Sequence, residues 1–187
     1  MKFDIAIIGG GLAGHTAAGI LAAAGFKCLV ISFSESVHHP RTGKGYSVLK
    51  GDRVTGGKFV GNRLDSIRTI NLGESSIEAD YYILATGKFL AGGLTATTAG
   101  VRESVFNLDC VSDPDRDKWT SADFFAEQPF LGFGVITDDN HRCFLGGKLI
   151  SNLLAAGEVL CGKTDIEGSA RRAAQTIIET ERYEEPF

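Results

Sequence analysis

Residues Phe3-Asp4-Ile5-Ala6-Ile7-Ile8-Gly9-Gly10-Gly11-Leu12-Ala13-Gly14 decide how this chain is read. The run to Ile8 is apolar and short, as in a buried strand. Glycines follow it at once, and a small-residue pattern opens behind them: His15-Thr16-Ala17-Ala18-Gly19-Ile20-Leu21-Ala22-Ala23-Ala24. A second apolar run, Lys27-Cys28-Leu29-Val30-Ile31, comes next. The order strand, glycine turn, helix, strand over residues 1–32 is the mononucleotide-binding unit of a Rossmann-like α/β fold. In that unit Gly9 gives the sharp turn, Gly11 admits a pyrophosphate to the backbone, and Gly14 brings the helix against the sheet. Leu12 and Ala13 open the helix, whose free N–H groups and positive end favour an anion. A dinucleotide or a flavin is therefore the expected ligand.

The acid expected about 20 residues after the glycines, which accepts a ribose hydroxyl, is missing. Ser32 stands in its place and bonds a ribose more weakly. Glu35 comes three residues late; Arg41 and Lys44 follow as candidate phosphate partners or surface charge.

The chain has 187 residues, enough for one good core. A net charge of −4, with no basic cluster beyond Arg171-Arg172, argues against nucleic acid. Cys28, Cys110, Cys143 and Cys161 are scattered without a CxxC, which excludes a disulfide scaffold and a zinc or iron–sulfur ligand set. Cys28 and Cys161 sit in apolar runs and read as core. His38-His39-Pro40 reads as a turn rather than a metal pair, so no metal is expected. No apolar run reaches 18 residues and no cleavable leader is evident, so a direct membrane span is not expected and the cytoplasm is the expected compartment.

Further along, residues 33–56 show no periodicity. Residues 57–80 read as a small antiparallel meander, with strands Lys58–Leu64 and Ser66–Leu72, a turn at Glu74–Ser76 and a short edge at Ser76–Asp80. Tyr81–Ala85 reads as a third parallel strand, ending at Thr86-Gly87. Residues 88–126 read as irregular. Trp119, Phe124, Phe125, Phe130 and Phe133 read as satellite core. Short strands are expected around Asp138-Asp139-Asn140, another strand ending on Gly157-Glu158, and a last helix over 165–182. Three glycine-ended segments, Gly9–Gly14, Ala85–Gly87 and Ala156–Gly162, thus point to one FAD/NAD(P)-binding domain spanning 1–187, with a central parallel sheet, helices and the meander.

The segments Phe3–Gly14, Ala79–Leu94, Val101–Leu108, Asp123–Asp138 and Ile150–Gly162 resemble the B-subunit family of anaerobic glycerol-3-phosphate dehydrogenases, within the FAD-dependent oxidoreductases of glutathione-reductase type. The resemblance implies a flavoprotein oxidoreductase domain for electron transfer. It implies two partners, a flavoprotein catalytic subunit and an iron–sulfur membrane-anchor subunit. Together these oxidise sn-glycerol 3-phosphate and reduce quinone, and the resemblance places the chain peripherally at the cytoplasmic face of the inner membrane. It also implies flavin contacts at Gly9, Gly11, Gly14, Thr86, Gly87, Gly157 and Glu158. The family's flavin is usually described as FMN; the pyrophosphate-type turn favours FAD, with FMN the alternative. The chain departs from the family twice. The large segment that forms much of the second domain is missing between Ser47–Leu49 and Gly51–Val54. The glycine-rich helix start is replaced by Lys163–Arg172, with Asp165, Glu167, Ser169 and Arg171. No residue is marked as a catalytic acid or base; His15 and His141 read as structural or exposed. A non-catalytic scaffold subunit with an incomplete flavin site, and an NAD-binding domain, stay open as alternatives.

Overall fold

The computed structural model describes residues 2–33 and 45–184. β1 (Lys2–Ile8) leads into α1 (Leu12–Ala23) and back into β2 (Cys28–Ser32). β3 (Ser47–Lys50) is followed by the hairpin of β4 (Val54–Val60) and β5 (Arg63–Thr69), and then by β6 (Ile77–Leu84). A second hairpin joins β7 (Leu94–Thr97) to β8 (Gly100–Glu103). β9 (Cys110–Val111) pairs with β10 (Gly134–Val135). The last elements are β11 (Arg142–Leu145), β12 (Lys148–Ala155) and α2 (Ile166–Glu184).

The main sheet runs β11-β12-β6-β1-β2-β3, and β4 and β5 join it at the start of β6. From β12 to β3 its neighbours are parallel. β1 lies at the centre, and its residues Ile5 to Ile8 are buried on both faces, which explains a continuous apolar run without alternation. Ile5, Ile7, Val30 and Ile83 face the helices, meeting Ala17, Ala18 and Leu21 of α1 and Ala173, Ala174 and Ile177 of α2. Small side chains bring both helices close to that face. The opposite side chains, including Ile8, Ile31, Tyr82 and Leu84, meet Leu64, Ile67, Leu94, Phe106 and Val135 from the hairpins and loops.

Asn152 ties β12 to the meander. Fully buried, it accepts from Leu64 N at 2.8 Å and donates to Leu64 O at 2.9 Å and Asp80 O at 3.0 Å. A primary amide here matches a peptide donor and acceptor side by side.

Several expectations change. The segments Ser76–Asp80 and Tyr81–Ala85 form one strand, β6, whose first residues pair antiparallel with β5 and whose last pair parallel with β12. The turn of the first hairpin is Gly61-Asn62, inside the expected first strand. Strands β3, β7 and β8 lie in stretches read as irregular. Cys161 is exposed rather than core, because the chain turns outward at Gly162 directly after buried Leu160. Trp119 and Phe133 are buried in edge-to-face contact at 5.2 Å, whereas Phe124 and Phe125 are exposed. His38, His39, Glu35, Arg41 and Lys44 lie outside the described residues.

Candidate functional site

Three hydrogen bonds align the strand ends that make the site. Gly9 N donates to Ile31 O at 2.9 Å, Ala85 N to Ile8 O at 2.8 Å, and Ala156 N to Leu84 O at 2.9 Å. The turns after β1, β6 and β12 therefore open together at the carboxyl edge of the sheet, where α/β folds hold their ligands. The chain leaves β1 toward β2 on one side and β6 lies on the other, so the glycine turn sits where strand order reverses. A cleft of about 590 Å³ runs along this edge, within the range of small-molecule sites.

The glycines at the turn have different physical causes. Gly9 has φ +118°, and a Cβ there would strike Ala85 O. A Cβ on Gly14 would strike Gly9 O. Both positions are fixed by the protein's own packing. At Gly11 a Cβ would meet nothing within 4 Å; its backbone, φ −83° and ψ −170°, suits any residue. Gly11 lines the cleft, so a side chain there would take up ligand space. It is the N-cap of α1, with no side-chain cap bond. Helix N–H groups left without such a cap attract anionic oxygens.

Of the residues singled out by sequence, Gly9, Gly11, Leu12, Ala13, Ser32, Thr86, Gly87, Gly157 and Glu158 line the cleft. Gly14 does not; it packs behind the turn against Gly9. Thr86 Oγ1 is buried and has no hydrogen-bond partner among the described residues. A buried hydroxyl in that state is costly unless something completes it, and its place on the cleft wall lets a polar ligand do so. Glu158 is exposed at the rim. Lys88, close by, donates to Leu131 O; burial lowers its pKa, and the Glu158 charge opposes that shift.

The charged start of α2 closes its own hydrogen bonds. Asp165 Oδ1 accepts from Gly168 N at 3.0 Å, and Asp165 O accepts from Ser169 N at 2.9 Å. Ser169 is fully buried. Arg171 pairs with Glu167 at 3.8 Å, and Arg172 Nε donates to His141 Nε2 at 3.2 Å. Neither arginine lines the cleft. His15 is buried with Nδ1 2.9 Å from Tyr46 Oη.

Sequence reasoning missed Phe33, Asp52 and Arg53, which line the far end of the cleft. Asp52 is 2% exposed, and its carboxylate accepts from Thr69 Oγ1 at 2.6 Å, Arg53 N at 2.8 Å and Asn71 N at 3.2 Å. The Gly51-Asp52-Arg53 turn between two strands was the available signal. It is recognisable only once β3 is known to lie beside β2. Among the described residues no helix is long and apolar enough to cross a membrane.

A family model of FAD binding domains matches residues 37–171. The B subunit of the anaerobic glycerol-3-phosphate dehydrogenase of Vibrio cholerae is 43% identical over 136 residues, covering 72% of this chain and 31% of that protein. The corresponding B subunit of Yersinia enterocolitica is 38% identical over 128 residues, covering 68% and 30%. The matched stretch thus spans about a third of the length of these curated relatives. Among solved structures, T. acidophilum thioredoxin reductase aligns with TM-score 0.60 and 13% identity, over 97% of this chain and 99% of that one. An oxidoreductase from Agrobacterium tumefaciens aligns with TM-score 0.61 and 14% identity, over 99% and 100%.

Proposed function

This chain belongs to the FAD binding domain family, with the B subunits of anaerobic glycerol-3-phosphate dehydrogenases as its relatives there, and we propose from that premise that it is an FAD-holding electron-transfer domain. The observation that carries the reading is the extent of the cleft. It crosses the ends of β3, β2, β1, β6 and β12, five adjacent strands. At about 4.8 Å between strands, four intervals cover roughly 19 Å. That span suits a dinucleotide, with its pyrophosphate at the central glycine turn. FMN would occupy only part of it.

The residues fit the group. The N–H groups at the start of α1, with Gly11 leaving room, hold the pyrophosphate. The Thr86 hydroxyl gains the partner it lacks. Glu158 at the rim accepts from sugar or ribityl hydroxyls, and Ser32 does the same at the end of β2. Bound flavin supplies the electron and hydride chemistry; the protein supplies binding, orientation and electrostatics. Residues 1–187 act together as a single nucleotide-binding domain. A flavoprotein catalytic subunit and an iron–sulfur membrane-anchor subunit are its proposed partners in glycerol-3-phosphate oxidation, at the cytoplasmic face of the inner membrane.

The test is the visible absorption spectrum of freshly purified protein, with mass identification of what denaturation releases. Near-stoichiometric FAD supports the reading. Release of FMN replaces the dinucleotide by the mononucleotide. A colourless protein that takes up neither flavin defeats it.

A further inference from the structure

The end of the cleft beyond β2 carries an unusual set of groups. The position that would offer a carboxylate to a ribose hydroxyl is Ser32. The nearby acid, Asp52, is buried, and its carboxylate is already engaged by Thr69, Arg53 N and Asn71 N. With those oxygens engaged, it is not poised to accept from a ribose hydroxyl. Arg53, by contrast, is exposed on the cleft wall. Its guanidinium carbon lies 4.1 Å over the centre of the Phe33 ring, and Phe33 is itself 62% exposed. Among the described residues Arg53 forms no ion pair.

Among the described residues the guanidinium makes no hydrogen bond, so its N–H edge is available to a ligand while the ring attracts its charge. That edge is rigid and matches the oxygens of a phosphate in a two-point contact. A bare ribose hydroxyl is best met by an acceptor; a ribose phosphate is best met by such a donor. Here the donor is present and the acceptor position is neutral.

We infer that this end of the cleft recognises an adenosine bearing a phosphate on its ribose 2′ oxygen, so that a 2′-phosphorylated dinucleotide competes with flavin dinucleotide for the same cleft. Arg53 is the residue that distinguishes them, through its N–H edge, and Phe33 holds the guanidinium in place. This goes beyond flavin binding: the preference for a 2′-phosphate stands without it, and only the competition rests on the flavin reading.

The experiment is a calorimetric titration of the full chain with adenosine 2′,5′-bisphosphate and, separately, with adenosine 3′,5′-bisphosphate. The two carry the same charge and the same 5′-phosphate, so general attraction cancels and the position of the ribose phosphate is read alone. One additional charge-assisted contact predicts about tenfold tighter binding of the 2′,5′ isomer. Arg53→Gln, at an exposed position, should abolish that preference, and Phe33→Leu should reduce it. Equal affinities, tighter binding of the 3′,5′ isomer, no binding of the 2′,5′ isomer, or a preference that survives Arg53→Gln would each overturn the inference. FAD uptake by the same preparation separates the two readings. Flavin bound without a 2′-phosphate preference removes only this inference, and the preference without flavin removes only the flavin reading.

Discussion

Ser169 Oγ accepts the hydrogen bond of Gly157 N at 2.9 Å and donates its own proton to Ile166 O at 2.9 Å. One hydroxyl on α2 thereby fixes the turn that follows β12, twelve residues away, at the wall of the cleft. Gly157 has φ +79°, and a Cβ there would lie 2.7 Å from that of Ala13. The turn can neither gain a side chain nor lose its partner without cost.

Removal of that hydroxyl gives the first prediction. Ser169→Ala leaves the Gly157 amide buried and unpaired, which costs about 1–3 kcal/mol. Chemical denaturation should show a lower midpoint, and flavin should dissociate more readily because Gly157 and Glu158 share the loosened turn. An unaltered midpoint would mean that the bond adds nothing.

The two glycines of the phosphate turn should respond differently. Gly11→Ala adds a methyl group where no protein atom lies near, so stability should change by no more than about 0.5 kcal/mol. Flavin uptake should nevertheless fall sharply. Gly14→Ala drives a methyl group onto Gly9 O and should destabilise by about 1–3 kcal/mol or prevent folding. Thermal melts with and without FAD read both effects. Loss of stability in the Gly11 variant would show that its position is fixed by packing, not by ligand space.

Glu103 makes stability depend on pH. It is fully buried and accepts from Val105 N at 2.8 Å and Phe106 N at 2.7 Å. Burial pushes its carboxyl above the ordinary value of 4.5, against the pull of those bonds. The folded protein then binds this proton more tightly than the unfolded chain. Its contribution is complete below pH 4.5 and is lost as pH rises through the raised folded value. The difference in unfolding free energy between the wild type and Glu103→Gln should therefore shrink, or reverse in favour of the variant, over that window. Parallel pH curves for the two proteins would contradict this.

Asn152 offers a test of the tie between β12 and the meander. Asn152→Leu preserves approximate volume but leaves both Leu64 N and Leu64 O without their partner. At about 1–3 kcal/mol for each unsatisfied group, a loss of about 3 kcal/mol is expected. A urea midpoint that falls with an unchanged slope would report it as lost stability. A midpoint within error of the wild type would refute it.

The contrast between β1 and β6 explains how far the sequence can be read. β1 is enclosed on both faces along its apolar run, so Ile5 to Ile8 announce a central strand directly. β6 changes partners along its length. Ile77 and Glu78 pair with β5, while Tyr82 to Leu84 pair with β12. Its burial accordingly passes from alternating to continuous, and the sequence divides at that change although the strand does not. β3 and β7 are four residues each, too short and too exposed to display a period. The glycine positions of the site are legible because backbone geometry demands them. Arg53 and Phe33 are not, since their meeting depends on β3 lying beside β2, a long-range pairing that local pattern does not encode.

The insertion of β12 beside β6 has a consequence for how the protein is made. During synthesis the glycine turn leaves the ribosome long before the wall supplied by Gly157 and the hydroxyl of Ser169 that fixes it. Until those residues follow, one edge of β6 has no neighbour, and an open strand edge invites pairing with other chains. The nascent polypeptide is therefore most vulnerable to misassembly just before its cleft exists. Cofactor captured on completion would act as the latch that commits it to the native state.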